Sequence, residues 1–415
     1  MDHVIGFRCT ICGATYALDE IDYVCPRHGS AGIVDVLYDY DVIRERLGAS
    51  PGLPPHLAAE PTMWRYLPLL PVEPDAPRPP LRVGWTPCYA ASRLGERLGL
   101  HQLWVKDDTR NPTGSLKDRA SALAVTHAMA EGAEVVTTAS TVNAAAALAG
   151  MAASVGMPAV IFVPKDAPRA KIVQHLVYGA RVLLVDGTYD EAFDLSLRAA
   201  EDFGWYNRST AYNPLMSEGK KTVAYEICEQ LDWQAPDRIF ISVGDGCILG
   251  AVHKGLKDLR ALGWIDRMPI LMGVQAEGSS PLVEAFECGL EGPEMKARAV
   301  QTVADSICAG LPRDRNKALA AVRETGGAFL AVGDREILDA IPVVARNTGI
   351  FCEPAASAAY AGLVKAVECG GVDPDERIVV LLTGSGLKDI DAALKTVEEP
   401  LVVAPDLDAV RRVLR

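Results

Sequence analysis

A lysine set directly after a Gly-Ser turn, where a helical pattern begins, has been positioned, and NPTGSLKDRA (Asn111 to Ala120) offers one at Lys117. Near a helix N-terminus the dipole and partial burial both favour the neutral amine, and a neutral amine attacks carbonyl carbons. The pattern alone also describes a solvated first-turn lysine. Three further loops carry residues of matching character. ASTVNAAAALAG sets Ser140, Thr141 and Asn143 before an Ala-rich helix. Free main-chain amides there suit a carboxylate, and Ser140 or Thr141 would equally serve as a helix cap. SVGDGCILG places Gly244, Asp245, Gly246, Cys247 and Ile248 after a β-branched run. That spacing lets main chain approach a phosphate at a helix start, or simply makes a tight turn. VVLLTGSGLKDI repeats the arrangement with Thr383, Gly384, Ser385 and Gly386.

A different constellation sits at the N-terminus: Cys9, Cys12, Cys25 and His28, in RCTICGATYALDEIDYVCPRHG. Each knuckle brings two donors onto one turn, supported by Gly13 and Pro26, and four such donors suit tetrahedral zinc. The alternative is a small patch of reduced thiols, since the interval between the knuckles is shorter than in the usual zinc ribbon. A site closed by four protein ligands would be structural, with no open position for catalysis.

The elements that must carry these loops are legible as an alternation. VVTTAS, AVIFVP and RVLLVDG are each followed by a helical segment, and RIFISVGDG, PILMGVQAEG and RIVVLLTGSG repeat the theme. LWVKDDTR reads as a strand before the lysine turn, and KDRASALAVTHAMAEG as the helix after it. Such alternation marks βαβ units and an α/β fold with parallel sheets, whose ligands bind at the carboxyl ends of the strands. The four loops are strand-ending loops. Gly32 to Asp41 reads as one strand, and the Pro-rich stretch from Pro51 to Pro80 as a loop or linker.

Composition sets the outer limits. The chain has 415 residues, enough for two or three domains, and half of them are apolar. A net charge of -13 disfavours nucleic acid and anionic membrane as partners. No signal-peptide pattern and no spanning apolar run is present, so the expected location is the cytoplasm. Ten cysteines in a chain of this length do not form a disulfide framework. Cys228, Cys288, Cys308, Cys352 and Cys369 read as packing residues, and lone His127 and His175 as ordinary helix residues.

Taken together the four loops resemble fold-type II pyridoxal-phosphate enzymes of the threonine synthase family. PTGSLKDR is similar to the family's PTGSFKDR, ASTVNAA to ASTGNAA, and LTGSG to LTGHG, with VGDGCI standing at the glycine-rich phosphate cradle. The resemblance implies that Lys117 holds the cofactor as a Schiff base and then acts as a base. It implies that Asn143 bonds the ring hydroxyl, that Gly244 to Ile248 cradle the phosphate, and that Thr383 faces the ring nitrogen as a neutral partner. Ser140, Thr141 and Asn143 would take the substrate carboxylate, and Glu353 would line the cofactor pocket. The architecture so implied has an N-terminal zinc-knuckle-like segment (1–40) and a Pro-rich linker (41–80). A large α/β domain (81–120 and 211–400) is interrupted by a small one (121–210), with the cofactor between them and a homodimer as the assembly.

The resemblance weakens where the substrate's side chain would sit. Where the family reads NSVNPYRLEGQKT, this chain reads STAYNPLMSEGKKT, which puts Thr210, Ala211 and Met216 at the pocket positions, with Met216 in place of an arginine. Lys220, Lys221 and Arg110 are the nearby cations. The expected activity is a lyase or synthase that eliminates or replaces a group at the β or γ carbon of an amino acid, on a substrate other than O-phosphohomoserine. Threonine synthase proper, a threonine or serine ammonia-lyase, a β-replacement synthase and a non-catalytic cofactor-binding protein are the alternatives.

Overall fold

The computed structural model describes residues 1–48, 50–167 and 169–414. Strands β1 (Val4–Cys9), β2 (Thr15–Tyr16) and β3 (Val34–Tyr38) form an antiparallel sheet in the order β2-β1-β3, so the cysteine knuckles hang on a small sheet of their own. Strands β4 (Cys88–Ala90) and β5 (Gln102–Asp107) come next. They are followed by β6 (Val136–Ala139), β7 (Ala159–Pro164), β8 (Arg181–Val185) and β9 (Tyr206–Asn207), which form a four-stranded parallel sheet in the order β8-β7-β6-β9. Strands β10 (Arg238–Ser242), β11 (Ile270–Ala276), β12 (Ala328–Val332) and β13 (Arg377–Leu382) join β5 and β4 in a six-stranded sheet, β12-β11-β10-β13-β5-β4.

Every pairing in the six-stranded sheet is parallel except that of β4 with β5. The central strands are the core: Ile239, Phe240 and Ile241 of β10 and Ile378 through Leu382 of β13 are fully buried. Apolar runs buried on both faces are what a helix-covered parallel sheet demands. Burying each such side chain contributes about 1.5–3 kcal/mol against exposure, an upper figure because the unfolded chain is itself partly collapsed.

The helix Lys117–Ala130 crosses from the end of β5 to the start of β6, and so from one sheet to the other. The Lys117, Ser140, Gly244 and Thr383 loops all leave the carboxyl ends of strands, at β5, β6, β10 and β13.

Two local readings need correction. The stretch read as a Pro-rich linker is packed: Tyr40–Leu47 is helical and Met63–Leu69 forms a 3-10 run with Trp64, Tyr66 and Leu69 buried. Its prolines break regular structure, but MWRYLPLL is apolar enough to be drawn into the core, where Tyr66 meets Tyr225 with ring centroids 5.1 Å apart. Of the cysteines read as packing residues, Cys228 and Cys352 are buried whereas Cys288 and Cys369 are exposed. No helix among the described residues is long and apolar enough to cross a membrane.

Candidate active site

The lysine turn is held from behind by buried charge. Arg119, two residues after Lys117, reaches Asp108 through Nε at 2.7 Å and Nη2 at 2.8 Å, and donates to both carboxylate oxygens of Glu226. Lys106 Nζ lies 2.7 Å from Glu226 Oε2, and Thr86 Oγ donates to Asp108 at 2.6 Å. All four charged groups are buried, and their mutual pairing offsets the cost of leaving water. The capping hydroxyl expected from the turn is not used: Leu116 is the N-cap and Ser115 Oγ is buried without a partner. Instead the carboxylate of Asp118 reaches back to Thr113 N at 2.7 Å, which closes the turn from within the helix. Burial raises the Asp118 carboxyl to about 6, against the pull of those Thr113 bonds.

Main-chain bonds lace the neighbouring loops to this turn. Leu116 N donates to Thr383 O at 2.9 Å, Ser385 N to Gly114 O at 2.9 Å, and Glu353 N to Gly384 O at 3.0 Å. Glu353 Oε1 in turn accepts from Asn143 Nδ2 at 2.7 Å. One bonded chain therefore runs from the lysine turn through the 383–386 and 353 turns to the start of the helix Asn143–Ser154. A Cβ at 384 would lie 2.3 Å from Glu353 Oε1, so any side chain there would displace the carboxylate that accepts from Asn143.

These loops border a cleft of about 760 Å³. Lys117, Ser140, Thr141 and Asn143 line it from one side, and Gly244 through Ile248 from another. Neither Ser140 nor Thr141 caps a helix; Val142 is the N-cap and makes no side-chain cap bond, which leaves both hydroxyls at the cleft. Buried His175 fixes this loop through a 3.1 Å hydrogen bond between Nε2 and Val142 O, and burial pulls its imidazole down to about 4, so the ring is neutral and donates. The helix Cys247–Leu262 points its N-terminus at the cleft behind Gly246, whose φ is 91°. A Cβ at Gly244 would sit 2.8 Å from Ile307 Cα. The main chain is therefore bare at the entrance to a long helix, the setting that binds a phosphate.

Thr383 and Glu353 are buried at 1% and 2% exposure and do not line the open cleft. Of the three side-chain-pocket positions, Thr210 lines the cleft, whereas Ala211 packs with Ile33 and Cys247 and Met216 joins the main core. An apolar thioether at 216 is drawn inward. Among the nearby cations Lys220 lines the cleft and Arg110 is exposed to solvent. Lys221 turns the other way, onto Glu218 at 2.6 Å and Asp258 at 2.7 Å.

Electrostatics suit an amine nucleophile. Burial lowers the pKa of Lys117, with the charge of Glu353 opposing the shift and that of Arg208 adding to it. Burial raises the Glu353 carboxyl, with Lys117 opposing. Arg208 was not legible in the sequence as a site residue; it follows β9 directly and is fully buried. Asn143 keeps a buried Oδ1 with no partner, an acceptor open to a ligand hydroxyl.

The family model for pyridoxal-phosphate dependent enzymes matches residues 80–384. The chain is similar to the threonine synthase of Methanocaldococcus jannaschii, 39% identical over 409 residues that cover 98% of this chain and 99% of that protein. With the threonine synthase of Methanosarcina acetivorans it shares 40% identity, covering 98% of each. The processed threonine deaminase isoform 2 of Solanum lycopersicum has the same fold, with a TM-score of 0.64 at 23% identity over 75% of this chain and 86% of that one. Diaminopropionate ammonia lyase of Escherichia coli aligns likewise, with a TM-score of 0.64 at 19% identity over 78% and 88% of the two chains. Pyridoxal phosphate is the cofactor this family implies, and the bare main chain at Gly244 to Ile248 and the open Asn143 acceptor fit its phosphate and ring hydroxyl. With relatives matched over almost the whole chain, this is a member of the pyridoxal-phosphate dependent enzyme family and a threonine synthase-like lyase.

Proposed function

We propose that the cleft eliminates or replaces a group at the β or γ carbon of an α-amino acid, with Lys117 as the residue that carries the cofactor and moves the proton. When bound, the cofactor supplies the electron sink for charge that develops at the substrate's α carbon. Lys117 Nζ suits proton removal because burial favours its neutral form, and the Arg119 network behind it keeps the turn rigid. Ser140, Thr141 and the main-chain amides at the start of the helix Asn143–Ser154 would receive the substrate carboxylate. Asn143 and Gly244 to Ile248 would hold the cofactor's hydroxyl and phosphate, with Thr383 on its ring nitrogen. The observation that carries this reading is the single bonded chain from the lysine turn to Asn143 beside one phosphate-ready helix N-terminus. The test is a panel of α-amino acids with β or γ leaving groups, followed by release of the leaving group. Turnover of one member by the wild type and none by Lys117→Ala supports the reading; equal turnover by both rejects it.

The four-stranded parallel sheet and the six-stranded, mostly parallel one, with the cleft where their loops meet, support a division into a large and a small α/β domain that close over the substrate and exclude water. The N-terminal cysteines support a structural zinc site: the donor atoms of Cys9, Cys12, Cys25 and His28 all lie within 4.8 Å of one another. Cys25 Sγ is 3.6 Å from His28 Nδ1 and 4.0 Å from Cys12 Sγ. Tetrahedral zinc with bonds of about 2.0–2.3 Å sets its ligands about 3.5–3.8 Å apart, so the donors need only small shifts. Ten free thiols favour a reducing compartment such as the cytoplasm. A homodimer follows from the family resemblance and is tested by the mass of the native particle.

A further inference from the structure

We propose that the N-terminal knuckle segment is a clamp on the cleft: Tyr23 and Ile33, held in place by the metal site of Cys9, Cys12, Cys25 and His28, are positioning residues that fix the crossover carrying Thr210. The inference rests on the readings of the cleft as the reaction site and of the knuckles as a zinc site.

The chain passes between the six-stranded and the four-stranded sheet twice, through the helix Lys117–Ala130 and again between β9 and β10. The second passage opens with residues 208–214, which set Thr210 at the cleft. Within it Ala211 has a φ of 56°, a left-handed conformation that a residue with a Cβ keeps only where its surroundings enforce it. Ile33, from the knuckle segment, packs on Ala211 and on Cys247, the first residue of the helix behind Gly246, in an apolar cluster separate from the main core. Tyr23, from the same segment, holds the stretch on both flanks of Ala211. Its hydroxyl accepts from Asn207 N at 3.3 Å, and its ring lies against that of Tyr212 with centroids 5.1 Å apart.

Both gripping residues are tied to the metal donors. Ile33 O accepts from Thr10 N and from Thr10 Oγ1, each at 3.0 Å, and Thr10 lies inside the first knuckle between Cys9 and Cys12. The carbonyl of Gly32, one residue earlier, accepts from Cys25 N at 2.7 Å. A Cβ at Gly32 would lie 2.9 Å from Cys25 Cβ and 3.0 Å from His28 Cβ, so the second knuckle is pressed onto the main chain that presents Ile33. Tyr23 stands two residues before Cys25, and Val24 between them bridges Ile33. An ion that joins the four donors therefore fixes Tyr23 and Ile33 as one unit, because metal binding energy is folding energy for the turns that supply the ligands. Loss of the ion releases the two knuckles from each other, and with them the grip on Ala211. A site with no open position for catalysis thus still governs where Thr210 stands.

The test is hydrogen exchange of the holoenzyme read by peptide mass spectrometry, in the wild type, Ile33→Ala and Cys12→Ser, with zinc counted by elemental analysis and cofactor by absorbance. In Ile33→Ala the amides of residues 206–213 should exchange roughly 10-fold faster, as expected when a packed contact is truncated and a segment opens locally. Zinc and cofactor content should stay at wild-type levels, and the β6 and β7 peptides should exchange as before. In zinc-free Cys12→Ser the same amides should gain the same freedom, and adding Ile33→Ala should change them little further, because both substitutions release one clamp. For the amino acid that the wild type turns over, KM should rise about 10-fold in Ile33→Ala with kcat within about 2-fold, and Ile33→Val should restore most of the loss. Unchanged exchange at 206–213 in Ile33→Ala overturns the clamp. Unchanged exchange there in wild type stripped of zinc by a chelator overturns the metal's part in it, and this arm decides if Cys12→Ser does not fold. Faster exchange at 206–213 in Ile33→Ala, with a wild type that turns over no amino acid, keeps the clamp and rejects the proposed function instead.

Discussion

Asn143 donates its amide to Glu353 Oε1 at 2.7 Å, which ties the small-sheet loop after β6 to the turn that supports Thr383 and the lysine loop. Burial draws the proton off Lys117, and the negative charge of Glu353 opposes that. Glu353→Gln keeps an acceptor for Asn143 and removes the charge. The Lys117 amine should then lose its proton more readily, so cofactor capture by the apoenzyme should reach its high-pH rate at lower pH than in the wild type. An unshifted profile would show that Glu353 acts on Asn143 alone. Glu353→Ala removes the acceptor as well and should slow turnover by about 100-fold, the scale set by a misplaced reacting group.

The buried Glu226 carries the stability of the lysine turn. Burial opposes its ionisation, but Arg119 and Lys106 hold its carboxyl down at about 2. A carboxyl depressed in the folded state contributes stability that is present above its ordinary value of 4.5 and is lost as pH falls toward 2. Glu226→Gln leaves Arg119 and Lys106 underpaired and should cost about 3–5 kcal/mol, measured by urea unfolding at pH 7. The difference between wild type and variant should shrink as the pH drops below 4.5.

The N-terminal site should carry one zinc per chain, counted by elemental analysis of purified protein. Cys12→Ser should lose the metal and lower the midpoint of thermal unfolding, while the cofactor content of the remaining fold stays unchanged. A chain free of zinc with the same midpoint would leave Cys9, Cys12, Cys25 and His28 as a thiol cluster only.

Much of the fold is legible because a parallel sheet writes its strands as apolar runs and its crossovers as helical segments. β6, β7, β8, β10, β11 and β13 each fall on a run read that way. β4 and β9 are not legible, being three and two residues long and defined only by their partners β5 and β6. The packed stretch from Met63 to Leu69 is hidden by its prolines. In the site, Lys117, Ser140, Thr141, Asn143 and the Gly244 loop carry local signals, because a turn or a helix start is a local event. Arg208 carries none: its meaning comes from Ser121 and Thr210, brought to it by different elements. Lys220 and Lys221 are adjacent in sequence, and only helix phase decides that one faces the cleft and the other a buried ion cluster.

The most direct test is to reduce the purified holoprotein with borohydride and locate the modified residue by peptide mass spectrometry. The account predicts a yellow protein whose absorbance is lost on reduction and a pyridoxyl adduct on Lys117 alone. An adduct on Lys220 or another side chain, or no adduct at all, would contradict it.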